Sequence, residues 1–91
     1  MTEPQKSMLE QAAAIIDGPR RDDYGDAQES FDMIAGLWSS YLKAPINAHD
    51  VANLMILLKV ARASNGYHFD SYLDICGYAA LTERLLTDEQ Q

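Results

Sequence analysis

The stretch from Val51 to Ala63, "VANLMILLKVARA", constrains the fold more than any other, because its only polar side chains are Asn53, Lys59 and Arg62. Apolar residues fall nearly all the way round at a helical period, so the segment reads as a helix covered on several sides and central to its domain. Asn47 is placed to cap its start, and Asp50 lies near its positive end. Two long cations in such a helix need a reason, since an unpaired charge beside a core is costly.

The flanking segments supply the neighbours. Ser7 and Glu10 have capping-box spacing and open a first helix in which Met8, Leu9, Ala12, Ala13, Ile15 and Ile16 share a face. That helix stops at "DGP", where Gly18 permits a left-handed cap and Pro19 blocks continuation. A second helix follows "RRDDYGD", with Asp26 and Glu29 at its start. Phe31, Ile34, Ala35, Leu37, Trp38, Tyr41 and Leu42 form its apolar stripe, and "KAPIN" closes it. After the turn "SNGYHF", a fourth helix is expected from about Asp70 to Leu86. No β-type alternation occurs, so the fold class is all-α: a small four-helix bundle forming one domain over residues 1–91, with an ordered core of about 7–86 and polar ends.

A chain of 91 residues buries only about 60–65% of its unfolded surface. Association into a homo-oligomer is therefore expected. The formal charge of −7 argues against direct nucleic-acid binding and against a membrane surface, since both need surplus cations. Cys76 is the single cysteine and forms no internal disulfide. With no signal peptide and no span-length apolar run, a reducing cytoplasm is the expected location.

Lys59 and Arg62 are three residues apart, and Asp70 and Asp74 are four apart, so each pair occupies one side of its helix. A short turn makes the third and fourth helices antiparallel neighbours, which brings both cations to both carboxylates. The bland reading is mutual neutralisation of partly buried charges. Two functional readings stand beside it. Asp70 and Asp74 can hold Mg²⁺ with a bound phosphate; alternatively, Lys59 and Arg62 grip an anionic ligand that the carboxylates help to orient.

The loop "GPRRDDYGD" adds Arg20 for a phosphate and Tyr24 for a base, against the plain alternative of a solvated connection. Among the remaining residues, His49, His68 and Cys76 lack zinc spacing, and His49 reads as a surface residue. Trp38 and Tyr41 read as core or subunit interface. Gly77 suggests close helix approach. Ser71 has no evident base, so no catalytic residue is assigned.

The motifs "RxxxYGD" at Arg20 to Asp26, "DVANLMILLKVAR" and "DSYLDICGYAAL" together resemble a family of small phage and prophage proteins related to nucleotide-modification-associated domains, over roughly residues 8 to 86. That pattern picks out Arg20, Tyr24, Gly25, Asp50, Lys59, Arg62, Asp70, Asp74 and Tyr78, and implies a nucleotide-like ligand. A more distant similarity is to MazG-like all-α nucleoside triphosphate pyrophosphatases. There Asp70 and Asp74 match a second acidic pair, whereas Asn53, Lys59 and Arg62 stand where the first motif needs carboxylates.

The expectation is a binding protein for a small phosphorylated ligand, managing nucleotides or sequestering a host defence signal. Arg20, Lys59 and Arg62 would meet phosphate, Tyr24 or Tyr78 the base or sugar, and Asp70 and Asp74 would orient the cations. One alternative is a Mg²⁺-dependent nucleotide pyrophosphohydrolase. Another is an acidic inhibitor that binds a host protein through the six acids from Asp17 to Asp32.

Overall fold

A computed structural model describes residues 6–17 and 27–85. Helix α1 spans Met8–Asp17, α2 Ala27–Leu42, α3 Ala48–Ala63 and α4 Phe69–Leu81, followed by a 3-10 turn at Thr82–Arg84. Among the described residues there is no strand, and the all-α class holds. Helix α4 packs along α3 and α1, and α3 also packs on α2.

Local chemistry sets the helix ends. Ser7 Oγ accepts from the Glu10 N–H at 3.2 Å while the Ser7 N–H reaches back to Glu10 Oε1 at 3.5 Å, the reciprocal cap expected for α1. The same device opens α3: the Asp50 N–H donates to Asn47 Oδ1 at 2.8 Å and the Asn47 N–H to Asp50 Oδ2 at 3.0 Å. Helix α2 closes with Lys43 in the left-handed region, φ 56°, and the Ala44 N–H bonded to the Ser39 carbonyl at 3.3 Å. This is a Schellman-type end with lysine where glycine is usual. Ser39 also fastens the α2–α3 connection, accepting from the Ile46 N–H at 2.9 Å and donating to the Ile46 carbonyl at 3.1 Å.

Phe31, Ala35, Ala48, Val51, Ala52 and Leu85 form the buried core, with Ile34, Trp38, Ile46, Met55, Tyr78 and Leu81 packed against it. Leu85 enters this core from beyond the 3-10 turn, and its carbonyl lies 3.3 Å from His49 Nε2. His49 is accordingly half-buried rather than a surface residue. Arg84 donates to the Ile16 carbonyl at 3.3 Å, placing a cation at the negative end of α1.

Several expectations need correcting. The fourth helix stops at Leu81, because the chain tightens into a 3-10 turn that redirects Leu85 inward. Helix α3 is covered on one side alone: Ala48, Val51, Ala52 and Ala63 are buried, but Leu54, Leu57, Leu58 and Val60 face solvent, Leu57 being 61% exposed. Three short neighbouring segments cannot surround a helix in so small a domain. For the same reason Leu9 of α1, and Leu37, Leu42 and Tyr41 of α2, are exposed, and Trp38 alone of the two aromatics at the end of α2 packs on the core. A Cβ built at Gly77 would meet nothing within 4 Å, so no close helix approach occurs there.

Candidate functional site

The α3–α4 seam carries the charged cluster. Lys59 lies on the buried side of α3, in line with Ala52, Met55 and Ala63, and its Nζ is 3.0 Å from Asp74 Oδ2 on α4. The lysine side chain is 16% exposed and the aspartate side chain 41%. One member of the pair is thus sheltered while the other remains within reach of solvent. The antiparallel fold-back read from the sequence brings these two together.

Arg62 and Asp70 do not join them. Both are exposed, and among the described residues neither takes part in an ion pair. Three residues further along α3, Arg62 is turned roughly 60° from Lys59. It also sits in the last turn of α3, and Asp70 in the first turn of α4. Each is therefore at the helix end whose partial charge suits it, and needs no side-chain partner. The expected four-charge convergence is a single pair with two flanking charges.

Tyr78 follows Asp74 by one helical turn, and its ring centroid is 6.4 Å from that of Phe31. Its ring belongs to the margin of the core, one turn from the ion pair. Arg20 and Tyr24, the loop candidates, lie outside the described residues. So does much of the acidic run from Asp17 to Asp32, of which Glu29 and Asp32 are exposed on α2.

The donor set decides how well Mg²⁺ suits Asp70 and Asp74. Magnesium takes octahedral oxygen ligands and is commonly held by one or two carboxylates with substrate phosphates. Asp74 already faces an ammonium, Asp70 stands apart in the first turn, and among the described residues no group of three or more His, Cys, Asp or Glu can hold a metal. These residues do not fit a metal centre of their own.

Two features at the α3–α4 turn escape a sequence reading. Tyr67 and Tyr72 stack with centroids 5.4 Å apart and planes at 16°, Tyr67 largely exposed. Their five-residue separation crosses the turn, so no helical spacing announces the contact. His68 Nδ1 lies 2.7 Å from Ser71 Oγ. Ser71 therefore has the imidazole partner that the sequence did not reveal, but at 2% exposure its hydroxyl is sealed from any substrate. The contact fixes the start of α4, where His68 occupies the N-cap position without a side-chain cap bond.

A family model described as a domain of unknown function (DUF6378) matches residues 7–86. A protein called "Gene 55 protein" from Mycobacterium phage D29 is 49% identical over 81 residues, covering 88% of this chain and 54% of the relative. Its namesake from Mycobacterium phage L5 is 46% identical over 87 residues, covering 93% of this chain and 56% of the relative. The chain thus spans about half the length of these curated relatives. No solved structure matches.

Proposed function

This chain belongs to the DUF6378 family, which has relatives in mycobacteriophages, and on that premise we propose that it binds a small phosphorylated, nucleotide-like ligand at the α3–α4 seam. The observation that carries the reading is the Lys59–Asp74 pair, 3.0 Å long, between a largely buried lysine side chain and a more exposed aspartate side chain. A pair in such surroundings adds little stability over apolar side chains of similar size. It does supply a cation held in place and open to competition from a stronger anion.

In this reading a ligand phosphate takes hydrogen bonds from the Lys59 ammonium, displacing or sharing it with Asp74. The released Asp74 oxygen then accepts from a sugar or base donor. Arg62, one turn further along α3 and exposed, adds a second cation at the rim. Arg20 and Tyr24 are the expected contributors from the loop before α2, and Tyr78 the expected neighbour of the base. A cation for phosphate beside a carboxylate that can accept from a sugar or base makes nucleotides the first ligands to try.

Native mass spectrometry of the protein mixed with nucleoside mono-, di- and triphosphates and cyclic nucleotides tests this reading. The expected result is a ligand adduct on the wild type that is lost in Lys59→Ala. Equal adducts on both proteins, or none on either, would contradict it.

A further inference from the structure

We propose that the outward face of α3 is the contact between two copies of this chain, packed antiparallel about a two-fold axis near Leu57. With Ala48, Val51, Ala52 and Ala63 buried inside the domain, the same helix leaves Asn53, Leu54, Leu57, Leu58, Val60 and Ala61 exposed. Leu54, Leu57, Leu58 and Ala61 recur at i, i+3, i+4 and i+7, the spacing of a helix-pairing seam. A contiguous apolar row of this kind on a small domain marks a contact surface.

Charge identifies the occupant. The chain carries −7 overall, so two copies repel wherever their acids meet. Between Asp50 and Arg62 α3 holds no acidic residue, and these two charges stand in its first and last turns respectively. Antiparallel pairing brings Asp50 of each copy toward Arg62 of the other, twice, whereas parallel pairing sets like against like. One acid and one base at opposite ends of an apolar row are self-complementary, the property a two-fold interface requires.

The register follows from the same residues. Centring on Leu57 sets Asn53 opposite Ala61 and Leu54 opposite Val60. Asp50 and the facing Arg62 are then offset by two positions, roughly 3 Å along the axis, within reach of an arginine side chain. The interface leaves Lys59 on the opposite, inward side of α3, and Arg62 is shared between this contact and the rim of the proposed ligand site.

Sedimentation equilibrium of the full chain reads the association directly. The wild type is expected at twice the chain mass of 10.2 kDa, and Leu57→Glu is expected to weaken association at least tenfold with helical circular dichroism unchanged. In a Cys76→Ser background, Asn53→Cys and Ala61→Cys chains are expected to form a mixed disulfide under mild oxidation, and neither to cross-link with itself. This second measurement reads the register without placing a charge in the row. A wild type that stays at the single-chain mass, a Leu57→Glu dimer of undiminished strength, or Asn53→Cys chains that cross-link to each other would each overturn the proposal.

Discussion

Lys59 of α3 and Asp74 of α4 are joined across the helix seam at 3.0 Å, with the lysine side chain more buried than the aspartate side chain. This inequality decides how each residue responds to substitution. Removing the aspartate strands an ammonium beside the core, whereas replacing the lysine by an apolar side chain leaves behind a carboxylate that water can still reach.

Lys59→Met should therefore change folding stability by less than about 1 kcal/mol, because methionine fills the space of the lysine stem without its charge. Urea denaturation checks this. A loss well beyond that range would identify the pair as a structural requirement.

Asp74→Ala should be the more damaging of the two, at about 1–2 kcal/mol, a value reduced from that of a fully buried pair because the carboxylate is partly solvated. The double variant Lys59→Met, Asp74→Ala should recover most of the loss. Denaturation of the four proteins of this cycle measures the coupling; an Asp74→Ala variant as stable as wild type would exclude it.

Ser39→Ala removes a hydroxyl that both accepts from the Ile46 N–H and donates to the Ile46 carbonyl. The cost should be about 1–2 kcal/mol, since a partly buried N–H loses its partner. Hydrogen exchange of the Ile46 amide, faster in the variant, locates the effect; unchanged exchange would argue against this tie.

Lys43→Gly should raise stability by up to about 1 kcal/mol. The residue holds φ 56° at the end of α2, and glycine adopts that conformation without steric cost. The thermal midpoint checks the sign, and a lower midpoint would mean that the flexibility added to the unfolded chain outweighs the relief.

What was legible in the sequence was what depends on near neighbours. Ser7 with Glu10 and Asn47 with Asp50 announce their caps by a three-residue spacing, and both form. The short "SNGYHF" turn dictates antiparallel α3 and α4, which is enough to bring Lys59 to Asp74. The angular position of Arg62 and Asp70 depends on how the helices rotate against each other, and helix-end electrostatics compensate both without an ion pair. Leu85 in the core, Ser39 on Ile46 and the Tyr67–Tyr72 stack arise where the chain leaves helical geometry, so periodicity carries no sign of them. The all-round apolar character of α3 was legible as well, but within one domain it covers a single side. The other side is the face proposed above as the contact with a second copy.

The proposed function stands on the Lys59 ammonium as the phosphate contact of a nucleotide-like ligand. Calorimetric titration of nucleoside phosphates and cyclic nucleotides into wild type and Lys59→Met, at matched thermal midpoints, tests it most directly. The wild type is expected to bind at least one phosphorylated compound saturably, and Lys59→Met to bind it at least tenfold more weakly. Equal affinities in the two proteins, or no heat of binding with any compound of the series, would contradict it.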